Sequence, residues 1–86
     1  MNPKVNSESD RLFLEELYDN YNNLMFKQAR RYLQNQADVE DVVQQSFVKL
    51  IRYLPTLKKL NRNTLAVYIV NVIRSCSIDI CRKRKT

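Results

Sequence analysis

The sequence predicts an all-α fold, a compact bundle of three to four helices. Glycine is absent from all 86 residues, and proline occurs only at Pro3 and Pro55, whereas hairpins and barrels usually need glycine for positive φ. Apolar residues recur at three- and four-residue spacings along three long segments, which is the period of an amphipathic helix. Short polar stretches separate these segments, so helices joined by turns are favoured over strands.

Length and composition predict a single domain over residues 1–86. Apolar residues are 44% of the chain and charged residues 28%, which is ordinary for a globular protein. Residues 1–9 are expected to be flexible, and residues 83–86 are expected to form a basic tail. No apolar run approaches about 20 residues, so no membrane-spanning helix is expected. The first ten residues lack the apolar block of a secretory signal, which favours a cytoplasmic location.

The first helix is predicted from about Ser9 or Asp10 to about Leu33. Either of the first two residues is a good cap, and two glutamates lie near the helix start. Its aromatic residues, at helical spacing, are expected to pack in the core rather than stack on bases, and Arg30 and Arg31 are expected on a solvated face. Its inward stripe comprises Leu14, Leu17, Tyr21, Leu24, Met25 and Gln28.

The second helix is predicted over about Gln36 to Leu54. Asn35 is expected to accept from the free amides of its first turn, and Asp38 falls in the third helical position, as in a capping box. Pro55 is expected to end the helix, because the residue before a proline is disfavoured in helical geometry. The inward stripe comprises Val39, Val43, Phe47, Leu50 and Leu54, with Val42 and Ile51 beside it.

The third long helix is predicted from a cap near Asn63 or Thr64 to about Arg82. Its many β-branched residues would also suit a strand, but continuous helical spacing favours a helix. The preceding segment "TLKKLNRN" is expected to be a basic linker containing a turn of helix. The inward stripe comprises Leu65, Tyr68, Ile69, Val72, Cys76 and Ile80, widened by Ile73 and Ile78.

The two cysteines, Cys76 and Cys81, are predicted to be free thiols. They lie five residues apart, so on a helix they point about 140° away from each other. That separation excludes a local disulfide, and free thiols fit a reducing compartment. The chain has no histidine, so no zinc site and no cofactor are expected.

Charge is distributed unevenly along the chain. Seven cations and eight acids precede Lys58, whereas eight cations and a single acid, Asp79, lie from Lys58 to Thr86. The formal net charge of +6 therefore comes from the last third, which is a candidate surface for a polyanion.

The acids gather at the start of the second helix, at Asp38, Glu40 and Asp41. Two interpretations remain open for them. Carboxylates at a helix N-terminus are stabilised by the helix dipole, which is a purely structural role. Alternatively, Asp41 together with Gln44 and Gln45 forms an exposed row beside Val42 that can bind arginines of a partner helix. Hydrolysis by paired carboxylates is not expected, because the chain has no histidine, no glycine-rich loop and no recognisable cleft.

The basic stretch from Leu57 to Lys85 favours a nucleic-acid partner. Lysine and arginine neutralise phosphates, asparagine and serine bond to base edges or backbone, and Tyr68 offers a ring for stacking. The alternatives are that the tail aids solubility and that Tyr68 packs in the core. If six cations meet phosphates, affinity should fall with salt at a log–log slope of about −4 to −5.

The order of these features resembles region 2 of bacterial sigma-70 family factors, in the extracytoplasmic-function style. The middle segment "DVEDVVQQSFVKLIRYL" is similar to family forms such as "DAEDVVQEVFLRLWRYL". The flanking segments "LEELYDNYNNLMFKQARRYL" and "LAVYIVNVIRSCSIDICRKRK" stand where the family has its other two helices. The resemblance covers about residues 12–85.

This resemblance implies two partners. The acidic helix would bind the clamp coiled coil in the largest subunit of RNA polymerase core, and the last helix with its linker would recognise the minus-ten promoter element and capture a flipped non-template base. The implied polymerase-binding residues are Asp38, Glu40, Asp41, Gln44 and Gln45. The implied DNA-binding residues are Lys58, Lys59, Asn61, Arg62 and Asn63 in the linker, Tyr68, Arg74 and Ser75 on the helix, and Arg82, Lys83 and Arg84 on the DNA backbone.

The chain departs from the family pattern in three ways. Tyr68 replaces a tryptophan, Ser75 replaces an asparagine, and the linker has no recognisable base pocket. Family members also continue into a helix-turn-helix, region 4, whereas this sequence ends at Thr86. It is therefore expected to be part of a longer protein or a regulator lacking that half.

An anti-sigma protein is a possible further partner. The alternative function is a helical interaction module whose basic end binds RNA or an acidic protein.

Overall fold

The computed structural model describes residues 8–85, and side chains as far as residue 84. Over that range the chain forms four helices, α1 (Glu8–Arg30), α2 (Gln36–Arg52), α3 (Leu54–Leu57) and α4 (Arg62–Lys85). Each of the three long helices packs against the other two, and α3 packs against α2. No strand occurs in the described part of the chain. The all-α prediction is confirmed.

Helix α1 begins earlier and ends earlier than predicted. Glu8 and Ser9, expected in the flexible start, lie in its first turn. The rest of that start, residues 1–7, is outside the described residues. Arg11 contacts both Glu8 and Glu15 on the exposed surface. The hydrogen bond that Arg11 donates to the Glu8 carboxylate and the negative charge of Glu15 raise the pKa of Arg11. After Arg30 the chain leaves the helix through a turn in which Leu33 N–H donates to Ala29 O at 3.0 Å.

Helix α2 ends at Arg52 for a reason other than the one predicted. The break lies at Tyr53, where φ is −104° and ψ is 21°. Leu54 then begins α3, with Pro55 in its first turn. A proline is tolerated there because the first-turn amides have no intrahelical partner. The residue before the proline, Leu54, is thus helical. The turn of helix expected in the linker is α3, which begins two residues before the linker and ends at Leu57.

Helix α4 is longer at both ends than predicted. Its N-terminus is capped by Asn61, whose Oδ1 accepts from Thr64 N–H at 2.8 Å, and not by Asn63 or Thr64. At the other end, residues 83–85 of the predicted basic tail form the last turn of the helix. Thr86 lies outside the described residues.

The core lies where the three long helices meet. The largest side chains fully removed from solvent include Met25 of α1, Leu50 of α2, Leu57 of α3, and Ile69 and Ile73 of α4. Every helix thus contributes to one cluster, and burial of such side chains contributes about 1.5–3 kcal/mol each. Cys76 belongs to this cluster, as expected from its place in the predicted inward stripe of α4. Cys81 is half-buried, and its Sγ donates to the carbonyl oxygen of Tyr32 at 3.7 Å.

Helix α4 also has the length and composition of a membrane-spanning helix. Residues Arg62–Arg84 contain an apolar window of mean hydropathy 1.5, of which 28% is buried. The sequence prediction missed this window because it considered only uninterrupted apolar runs. In α4 the apolar residues are interrupted by Asn71 and Arg74. Core helices of bundles meet the same criterion. Here α4 buries Ile69 and Ile73 against the other helices and exposes Arg74.

Candidate functional site

The N-terminus of α2 is built around Asn35. Its Oδ1 accepts from the backbone N–H groups of Ala37 and Asp38 at 2.8 and 3.4 Å. The predicted cap is therefore confirmed. Because the N-terminus of a helix carries a partial positive charge, carboxylates are stabilised there.

The exposed face of α2 carries acid and amide side chains in a row. Asp41, Gln44 and Gln45 are exposed, as predicted, and Gln45 Nε2 donates to Asp41 Oδ2 at 3.0 Å. At about 100° per residue, Val48 falls in the middle of the same row, and it is 43% exposed. We call Asp41, Gln44, Gln45 and Val48 the α2 row. It offers a carboxylate, two amides and an apolar contact.

The two other acids of the cluster differ from Asp41. Glu40 is exposed beside the α2 row and accepts from Gln36 Nε2 at 3.1 Å. Asp38 turns toward α4 instead, where its Oδ1 accepts from Arg84 Nη2 at 2.5 Å. The Asp38 side chain is only 13% exposed. Asp38 is thus separated from the α2 row, although the sequence grouped the three acids together.

An apolar groove follows the seam between α1 and α2 beside the α2 row. The rings of Tyr18 and Phe47 meet edge to face there, with centroids 5.6 Å apart and planes at 84°. Phe26 extends the groove wall along α1, and Arg30 lies 5.5 Å above its ring. The groove also includes Val43, Gln44 and Val48. The aromatic residues of α1 are therefore partly core and partly groove lining.

The linker before α4 uses two of its predicted DNA-binding residues internally. Lys58 Nζ forms an ion pair with Asp10 in the first turn of α1 and lies 3.4 Å from Ser9 Oγ. Asn61 caps α4 through its side-chain oxygen. Lys59, between them, is exposed. The linker thus presents fewer groups to a ligand than the sequence suggested.

Arg62 lies in a cleft between α1 and the start of α4. The cleft has a volume of about 180 Å³. Its lining combines apolar side chains with three exposed polar ones, Glu16 and Asn20 of α1 and Arg62. The remaining lining residues are Phe13, Leu17, Tyr21, Leu60 and Leu65. Sequence reasoning found no pocket at the linker because the other wall comes from α1, more than forty positions earlier in the chain.

The outer face of α4 carries a further group of the predicted DNA-binding residues. Arg74, Ser75 and Arg82 lie along it together with Asn71, Ile78 and Asp79, around a shallow depression. We call this set the α4 ridge. Asn71, Arg74, Ile78 and Arg82 are spaced three or four residues apart, and Ser75 and Asp79 lie beside them, so the set shares one side of the helix. Tyr68 is half-buried and packs against the core, which agrees with the structural alternative for that ring.

A comparison with family models matches residues 17–86 to sigma-70 region 2. The chain belongs to the sigma-70 region 2 family. The matched range includes all of α2, α3 and α4 and most of α1. No curated protein and no solved structure gives a significant match. Membership of this family implies a role in RNA polymerase binding and promoter recognition during transcription initiation.

The fold divides the DNA-binding residues expected of this region 2 domain into separate places. Arg62 lines the cleft, whereas Arg74 and Arg82 lie on the α4 ridge. Twelve residues of helix place Arg62 and Arg74 about 18 Å apart along the axis. Lys58 and Arg84 are paired with carboxylates, and Asn63 and Lys83 are exposed. No cluster of potential metal ligands occurs among the described residues of the region 2 domain.

Proposed function

We propose that this region 2 domain binds RNA polymerase core through the α2 row and promoter DNA through the α4 ridge and the linker. The observation that supports the proposal is the separation of two exposed surfaces on one bundle. The α2 row has a carboxylate and amides, whereas the α4 ridge has two arginines and one acid. Surfaces of different charge on different helices suit two macromolecules bound at once.

On the polymerase side, Asp41 and Gln44 are the central contacts. A carboxylate accepts two parallel hydrogen bonds from an arginine, and a neighbouring amide both donates and accepts. Gln45, which already donates to Asp41, holds that carboxylate in one orientation, and Glu40 adds negative charge at the edge. The partner surface is the clamp coiled coil of the largest polymerase subunit, and Val48 supplies an apolar contact to it.

On the DNA side, the α4 ridge follows the phosphate backbone of the minus-ten element. Arg74 and Arg82 neutralise phosphates, while Ser75 and Asn71 bond to backbone or base edges. Lys59 and Asn63 extend the contact toward the linker, and Lys83 extends it along the last turn. The work of the domain is binding rather than chemical catalysis, because the energy of these contacts holds an unstacked strand open.

The cleft at Arg62 receives an unstacked base of the non-template strand. Its apolar lining residues suit the face of a base, and Glu16, Asn20 and Arg62 supply hydrogen-bonding groups for its edge. Tyr68 packs against the core, so Tyr21 in the cleft wall takes the role of the aromatic contact. This places the base pocket between two helices rather than within the linker.

The remaining assignments follow from the same proposal. The domain is of the extracytoplasmic-function type, it functions in the cytoplasm with the polymerase, and residues 1–86 form one domain. An anti-sigma protein would regulate it by covering the α2 row and the groove beside it, because a protein bound there excludes the polymerase.

Capture of purified RNA polymerase core by the immobilised chain tests the proposal. Asp41→Arg should reduce capture at least tenfold, because it introduces repulsion and removes the acceptor of a charge-assisted bond worth about 1.5–3 kcal/mol. Asp19→Arg makes the same change of charge on α1 and should leave capture unchanged. Equal capture by wild type and Asp41→Arg would favour the alternative, a helical module that binds RNA or an acidic protein.

A further inference from the structure

Asp38 and Arg84 join the first turn of α2 to the last turn of α4. Asp38 Oδ1 lies 2.5 Å from Arg84 Nη2, and the two residues are 46 positions apart in the chain. The family resemblance assigned one of them to the polymerase and the other to DNA. Because the two side chains are bonded to each other, the role of one residue depends on the other.

The environment of Asp38 favours an internal role. Its side chain is only 13% exposed, so a partner protein has little access to the carboxylate. Its charge is stabilised by the N-terminal dipole of α2, and the charge of Arg84 is stabilised by the C-terminal dipole of α4. The ion pair therefore forms where each helix end favours the charge that it carries.

Arg84 remains accessible despite its partner. A guanidinium has five N–H donors in a fixed plane, and the bond to Asp38 uses Nη2. The Arg84 side chain is 65% exposed, so its other donors face solvent. An arginine normally loses much rotamer freedom when it binds a phosphate. The contact with Asp38 has already restricted that freedom.

We propose that Asp38 is a positioning residue, which holds Arg84 ready for a DNA phosphate and does not contact the polymerase. The inference rests on the proposed DNA-binding function. It also gives the acidic start of α2 two separate tasks. Asp41 faces the polymerase, and Asp38 orders the DNA-binding end of α4.

Binding of the full chain to a mixed-sequence single-stranded oligonucleotide tests the proposal, since a phosphate contact needs no particular sequence. Asp38→Asn is compared with Asp19→Asn, the same substitution at an exposed site on α1. Both remove one negative charge. Because Asp38 lies beside Arg84, its removal should favour phosphate binding at least as much as removal of Asp19, so simple electrostatics predicts the opposite of a loss. Asp38→Asn should bind at least about threefold more weakly than Asp19→Asn, because it loses an ordered, charge-assisted contact.

Two further variants show whether Asp38 acts through Arg84. In an Arg84→Gln background, Asp38→Asn should cause no further loss of DNA affinity. Asp38→Glu keeps the carboxylate on a longer arm and should recover part of the affinity. Asp38→Asn should also capture purified polymerase core as well as wild type does, whereas Asp41→Arg should not.

Three results would overturn the inference: Asp38→Asn binding DNA as tightly as Asp19→Asn, a loss that persists without Arg84, or a loss of polymerase capture by Asp38→Asn. Absence of DNA binding by the wild-type chain would overturn both the inference and the DNA half of the proposed function. If Asp38→Asn unfolds below the assay temperature, the DNA affinity of Arg84→Gln is compared with that of Arg31→Gln instead. Equal affinity of those two exposed variants would overturn the inference.

Discussion

Ser46 and Ser77 are fully buried serines on α2 and α4. Neither hydroxyl oxygen has a hydrogen-bond partner in the described structure. A buried hydroxyl without a partner costs about 1–3 kcal/mol, so these serines are present for their small size rather than for a bond. They lie on the two long helices that pack most extensively against each other.

Replacing Ser46 by alanine should therefore stabilise the fold. The methyl group fits the same space, the unsatisfied oxygen is removed, and alanine is the better helix former. We expect the free energy of unfolding to rise by about 1 kcal/mol, measured by urea denaturation. Ser75→Ala, at an exposed site, should change it by no more than about 0.5 kcal/mol. A loss of stability in Ser46→Ala would indicate that the hydroxyl makes a stabilising contact.

Asn61 is a second residue whose role the structure changes, from DNA contact to helix cap. Asn61→Ala should lower the free energy of unfolding by about 1 kcal/mol, because Thr64 N–H loses its acceptor. Asn61→Asp keeps an acceptor and should retain stability. Asn63→Ala, two residues later and exposed, is the matched control and should have little effect. If Asn63→Ala is the more destabilising variant, the cap lies where the sequence predicted it.

At the scale of the elements, periodicity predicted which helices form but not their exact faces. For α4 the sequence placed Tyr68, Ile69 and Val72 together in one stripe, with Ile73 beside it. In the structure Ile69 and Ile73 are fully buried, whereas Tyr68 and Val72 are half-buried. The reason is that α4 packs against two helices at once. A helix with two neighbours buries a wider stripe of residues. The three- and four-residue spacing of apolar residues does not show which of them lie at the centre of that stripe.

The end of α2 illustrates a different limit of sequence reasoning. Pro55 indicated a break, and a break exists, but it lies at Tyr53 and the proline begins α3. A proline is compatible with both positions, the residue after a helix and the first turn of the next. Tertiary packing decides between them, because α3 buries Leu54 and Leu57 in the core.

The α4 ridge carries a prediction of its own as an element. Replacing Arg74 and Arg82 by alanine should weaken binding to a single-stranded oligonucleotide and reduce the magnitude of the log–log salt slope by about 1.4, or about 0.7 for each lost phosphate contact. Lys27→Ala combined with Arg31→Ala removes the same charge from exposed positions at the end of α1 and in the turn after it, and should leave the slope unchanged. Equal slopes for the two double variants would exclude the ridge as the phosphate-binding surface.

At the scale of the whole molecule, the candidate site could be predicted as residue types but not as a grouping. The α2 row follows from local spacing, and its exposure agrees with the sequence. The cleft at Arg62 and the Asp38–Arg84 pair join residues more than forty positions apart. Helical periodicity predicts the apolar face of each helix, but not how three helices pack around a core. Those contacts therefore require the assembled bundle.

Lys58 also makes a contact that only the assembled bundle creates, and the adjacent Lys59 provides a control. Lys58 pairs with Asp10 and so ties the linker before α4 to the first turn of α1, with side chains 32% and 22% exposed. Lys58→Ala should lower the free energy of unfolding by about 0.5–1 kcal/mol, as expected for a partly exposed ion pair. Lys59 is exposed, so Lys59→Ala should keep full stability but bind the oligonucleotide more weakly.

Urea denaturation and oligonucleotide titration of the two variants separate these roles, since each removes one positive charge from adjacent positions. The loss of stability in Lys58→Ala should shrink at high salt, because screening weakens the pair in the wild-type chain. Loss of DNA affinity without loss of stability in Lys58→Ala would mean that the lysine leaves Asp10 to bind phosphate. In that case the linker would separate from the first turn of α1 when the promoter strand is bound, while the core packing between α1 and α4 would remain.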